Sequence, residues 1–140
     1  MFSVYSKYQR AAAFWLLITG LLAPGATHAG QLVAGAAKVD ITDYDAGPVN
    51  DPLYVKALLI KSDTETLALI TVDAVAVAGI GRIGNDYMPT VRGRLEQELG
   101  IPPAKVLFNA SHCHGVVCAE VAERTVQAVT AASGRMEPVT

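Results

Sequence analysis

The chain has 140 residues, 51% of them apolar and 17% charged, which excludes a disordered polar chain and leaves material for one globular core. Its 13 acidic and 11 basic side chains give a net charge of −2, so the electrostatic footprint of a nucleic-acid binder is absent.

At the amino end, Lys7 and Arg10 precede an apolar run over 11–23, and Pro24, Gly25 and small residues lead to Thr27-His28-Ala29. This is the order of a secretory signal, charge before apolar core before small-residue cleavage site. The core is shorter than the roughly 20 apolar residues that a spanning helix needs. The expected organisation is a signal peptide over 1–29 and a secreted or periplasmic domain over 30–140.

A strand is predicted at about 33–41, where small and apolar residues end in β-branched ones. Residues 43–52 read as a solvated loop. Their carboxylates lack the Gly and Glu offsets of an EF-hand. Two apolar runs, 53–60 and 66–77, are separated by Lys61-Ser62-Asp63-Thr64-Glu65, a polar connection of hairpin length. The second run is nearly continuous, and the expectation is a central strand covered on both faces. Asp73 at its end is read either as a group that orients a ligand histidine or as a turn cap.

Gly79-Ile80-Gly81-Arg82-Ile83-Gly84 matches the letters of a dinucleotide-binding turn but follows an antiparallel hairpin, so a loop bordering the site is the reading preferred. From residue 85 or 86 the period turns helical, with Met88, Val91, Leu95 and Leu99 on one stripe, Pro89 in the first turn and Gly100 as the cap. Arg92-Glu96 and Arg94-Glu98 are predicted as ion pairs on the wet face. Residues 105–109 form a further strand, and Val121, Ala122, Thr125, Val126, Val129 and Ala132 mark a second helix ending at Gly134. Residues 135–140 resemble one more strand, with no partner evident in the sequence. The fold class expected is α/β, a mixed sheet with an antiparallel hairpin and strand-helix-strand units, as an incomplete part of a larger catalytic domain.

The chemistry concentrates in Asn109-Ala110-Ser111-His112-Cys113-His114-Gly115-Val116-Val117-Cys118, just past a predicted strand end. On an extended chain His112 and His114 face the same side, which suits a metal ion or a polarised water, and Cys113 faces the other. Ser111 and His112 face apart, so a serine hydrolase is not expected. Export would favour a disulfide between Cys113 and Cys118, whereas a reduced Cys118 near a helix start would have a lowered thiol pKa. A catalytic zinc takes about three protein ligands, and this stretch offers two imidazoles. Further ligands would come from Asp73 and the loop carboxylates or from beyond Thr140.

The segment 34–42, the hairpin ending in Thr71-Val72-Asp73, the helix, and Val106-Leu107-Phe108-Asn109-Ala110-Ser111-His112-Cys113-His114-Gly115 together resemble the start of the neutral/alkaline, non-lysosomal ceramidase family. The resemblance spans most of residues 30–140, though only the first part of that family's catalytic domain. It implies a secreted or membrane-associated zinc amidohydrolase acting on the N-acyl bond of ceramide, and hence a role in sphingolipid metabolism. It places the first zinc-ligating histidine at His112 and a histidine that shapes the catalytic site at His114. The family's remaining ligands, a second His, a Glu and a Tyr, have no counterpart here. Cys113 stands where the family has a hydroxyl residue, and Gly115-Val116-Val117-Cys118 replaces a Gly/Pro-rich loop, so another amide or ester substrate fits equally well. Two further readings stay open: an exported, non-enzymatic metal-binding protein using His112, His114 and both thiols, and an inactive fragment.

Overall fold

The computed structural model describes residues 30–139, so the signal-peptide expectation over 1–29 lies outside the described residues. Five strands form one mixed sheet: β1 (Val33–Asp40), β2 (Tyr54–Lys61), β3 (Thr66–Val72), β4 (Val106–Ala110) and β5 (Glu137–Pro138). The spatial order is β4-β3-β2-β1-β5. β1, β2 and β3 make an antiparallel meander, and β4 joins β3 in parallel with Val72 opposite Ala110. A parallel neighbour requires a crossover. Helix α1 (Tyr87–Leu99) supplies it, and α2 (Val121–Ser133) follows β4.

Both helices lie on one face of the sheet. The side chains that alternate inward, Val55, Ala57 and Leu59 of β2 and Ala68, Ile70 and Val72 of β3, are buried with Val91 and Leu95 of α1 and Val126 and Val129 of α2. Each fully buried Val, Leu or Ile of this set contributes about 1.5–3 kcal/mol of transfer free energy. Gly35 lets α2 sit close on β1, because a Cβ there would meet the Ala132 carbonyl and the Arg135 backbone. Arg94 bridges the helices outside the core through Glu123 and also pairs with Glu98 one turn along α1.

Three expectations are corrected. The β3 run is central but, among the described residues, covered on one face: Leu67 is 39% exposed, and on the same face Leu107 of β4, opposite Leu69, is 55% exposed. A continuous apolar run signals burial without saying from which side. Arg92 does not pair with Glu96. Its guanidinium donates to the Val106 carbonyl at 3.1 Å and lies over the Phe108 ring, so it helps fasten α1 to β4. The final strand does have a partner, since β5 pairs antiparallel with β1 through Val33 and Pro138. Among the described residues no helix is long and apolar enough to cross a membrane.

Candidate functional site

In this topology β1, β3 and β4 run in one direction, so the segments that follow them, 41–53, 73–86 and 111–120, gather at one end of the sheet. The histidine segment is fastened to both others. The amides of Ser111 and Cys113 donate to the carbonyls of Val72 and Ala74, each at 3.0 Å. Farther along, Cys118 N donates to Ile41 O at 2.7 Å and Asp43 N to Val116 O at 2.9 Å. Thr42, buried, accepts from Leu53 N at 2.8 Å and keeps the 41–53 segment folded against β2.

His112 is not extended. Its φ of 59° is the only positive value at a non-glycine residue among those described. The two imidazoles still meet, edge to face, with ring centroids 5.2 Å apart and an interplanar angle of 77°. Both histidines are exposed. The expected proximity therefore holds, although a left-handed residue produces it and strand alternation does not.

Asp73 makes no hydrogen bond or ion pair with an imidazole. Its carboxylate accepts from Ser111 Oγ at 2.8 Å, from Lys56 Nζ at 2.9 Å on both oxygens and from Tyr54 N at 3.0 Å. Partial burial pushes its pKa up, but the Lys56, Ser111 and Tyr54 hydrogen bonds outweigh that and hold it below the ordinary carboxylate value. This network was not legible from the sequence, because Lys56 reads as a solvent-facing strand residue and Ser111 lies far from Asp73 along the chain.

Both cysteines are free thiols. Cys113 is pinned beyond β3 and Cys118 beyond β1, with β2 between them. Two strand spacings amount to about 9–10 Å, more than the Cα separation a disulfide accepts. Burial pushes the Cys118 thiol up and outweighs the hydrogen bond from the Glu120 backbone, so the lowered value expected near a helix start is not found.

The glycine-rich stretch does not open a helix. Ile80 and Ile83 exchange backbone hydrogen bonds of 3.0 and 2.8 Å around Gly81, whose φ is 53°, and α1 begins only at Tyr87. The tight turn borders the histidine segment across a small cleft of about 120 Å³ lined by Ala74, Ile83, Gly115 and Val117. Arg82 in this turn pairs with Asp43 at 2.6 Å, which ties up one of the loop carboxylates.

Among the described residues no three His, Cys, Asp or Glu side chains come close enough to hold a metal ion together. The donor set is thus a pair of exposed imidazoles on a loop braced by strands β1 and β3. It fits a cation in ligand type and falls one donor short of a catalytic zinc site.

No family model and no curated protein matches the chain. Among solved structures, the neutral ceramidase from Pseudomonas aeruginosa aligns over 78% of this chain and 22% of its own, with a TM-score of 0.63 and 15% identity. A second structure, a ceramidase complexed with C2, aligns over the same shares with a TM-score of 0.62 and 15% identity. The chain spans about a fifth of the length of these solved ceramidases, and at this identity the likeness is one of fold: residues 30–139 have the architecture of a part of a neutral ceramidase.

Proposed function

We propose that the chain carries the first histidine segment of a ceramidase-like, zinc-dependent amidohydrolase that is exported and acts on a lipid N-acyl amide. The observation that carries the reading is the His112–His114 ring pair, set just past the carboxyl end of parallel strand β4 in a sheet of ceramidase-like fold. His112 would ligate the ion and His114 would shape the site beside it. A zinc ion held there would supply Lewis acidity for attack of water on the amide carbonyl. The chain's own part is to present the His112 imidazole from a fixed backbone with His114 beside it. The further donors have to come from outside the described residues.

Titration of Zn²⁺ into the full chain tests this. Weak, chelator-sensitive binding is expected, abolished by His112→Ala, with no measurable amide hydrolysis by the 140-residue chain. In a longer chain supplying the missing donors, His112→Ala should remove lipid amide hydrolysis while leaving the fold in place. Full zinc occupancy and unchanged turnover in that variant would refute the assignment.

A further inference from the structure

We infer that Asp73 is a positioning residue for the histidine pair: acting through Ser111, it holds His112 in the left-handed conformation that brings its ring against His114. The inference rests on the reading of that pair as a metal site.

The β3–β4 pairing ends at Val72 opposite Ala110, yet the two chains stay joined beyond it. Ser111 N reaches Val72 O and Cys113 N reaches Ala74 O, so His112 lies between two fixed backbone points. A left-handed residue with a Cβ is sterically strained and persists only where its surroundings over-determine it. The two backbone bonds fix where the loop is. The Ser111 hydroxyl, donating to Asp73 at 2.8 Å, fixes how it is turned immediately before His112.

Asp73 is suited to that task because it is itself immobilised from β2. Tyr54 N and Lys56 Nζ both donate to its carboxylate, and its own amide donates to Tyr54 O at 2.9 Å. A carboxylate that merely caps a strand end bonds to the amides that follow it in the chain. The bonds of Asp73 run sideways instead, to β2 on one side and to the histidine loop on the other. The hydroxyl-to-carboxylate bond is charge-assisted and correspondingly strong. The network thus ties an exposed, strained loop to two strands of the rigid sheet.

The test uses Ser111→Ala, Ser111→Thr and Asp73→Asn in the full chain. Ser111 is exposed, and its truncation leaves the bonds between Asp73 and β2 intact, so Ser111→Ala should fold with an unchanged far-ultraviolet spectrum. In the metal-free protein, the proton NMR cross-peak between the His112 and His114 rings should be present in the wild type and in Ser111→Thr, and lost in Ser111→Ala and Asp73→Asn. Zn²⁺ affinity should fall by about tenfold in those two variants, in line with other groups that orient metal ligands, and recover in Ser111→Thr. Folded Ser111→Ala with an intact cross-peak overturns the proposal. Wild-type protein that binds no Zn²⁺ while its cross-peak still depends on Ser111 overturns the metal reading and supports the positioning role.

Discussion

Tyr87, the first residue of α1, donates its hydroxyl proton to Thr125 Oγ1 at 2.8 Å inside the core, and Thr125 in turn donates to the Val121 carbonyl one helical turn back at 2.7 Å. The two helices are therefore joined by a buried polar relay as well as by apolar packing. Tyr87→Phe removes one donor and leaves Thr125 bonded within its own helix, so a loss of about 1 kcal/mol is expected. Thr125→Val strands the tyrosine hydroxyl and should cost more, about 1–3 kcal/mol. Urea denaturation of the two variants checks the order.

The same residue sets an alkaline limit. Burial pushes the Tyr87 pKa from 10.0 to about 12. Below pH 10 the tyrosine is neutral in folded and unfolded chains alike, and its contribution is complete. Between pH 10 and 12 the unfolded chain ionises while the folded one does not, so stability declines, by about 2–3 kcal/mol in total. Other groups titrate in this range as well. The measurement is therefore the difference between wild type and Tyr87→Phe, which should shrink and then change sign across that window.

Gly35 predicts a sharp steric response. A methyl group at this position would be driven into the backbone at the end of α2, where neither Ala132 nor Arg135 can yield by a side-chain rotation. Gly35→Ala should cost about 1–3 kcal/mol through overpacking. Gly93, on α1 with open space around it, is the control: Gly93→Ala should be neutral or stabilising by up to about 1 kcal/mol. Thermal melts of the pair separate crowding from a general effect of losing glycine.

Separation of the thiols is directly measurable. Alkylation of the unfolded protein without reductant should add two groups, as two free cysteines require. In the folded protein at neutral pH, Cys118 should be modified slowly, because burial raises its thiol pKa and little thiolate is present. Peptide mapping of a time course would show this, and recovery of a Cys113–Cys118 linked peptide would contradict it.

The order and type of the elements were legible because the pattern is strong where packing is regular. Val91 and Leu95 repeat at helical spacing and are fully buried, and the polar stretch 61–65 divides two apolar runs that do pair as a hairpin. The faces were less legible. Leu67 and Leu107 are as apolar as Ile70 and Val106, yet they point away from both helices, and a sequence pattern carries no information about which layers are present. At the site, proximity of His112 and His114 followed from their spacing, but the backbone conformation that achieves it did not. Asp73 was noticed at a strand end, while its partners Lys56 and Ser111 depend on registers that only the assembled sheet defines. The thiols were misjudged for the same reason, since five positions along a chain can separate two strand ends.

The crossover through α1 has a kinetic consequence. The β1–β2–β3 meander closes short connections, whereas β4 must find β3 across the whole of residues 73–105, and the entropic cost of that closure falls before any contact rewards it. Among the described residues β4 is also an edge strand, paired with β3 alone. The meander is thus expected to form ahead of β4, and amide exchange should be faster in Val106–Ala110 than in Tyr54–Lys61. The bonds that shape the His112 loop span β2, β3 and the end of β4, so they belong to the last stage of assembly. A partly folded chain would hold most of its sheet and still lack the loop geometry that brings the two imidazoles together.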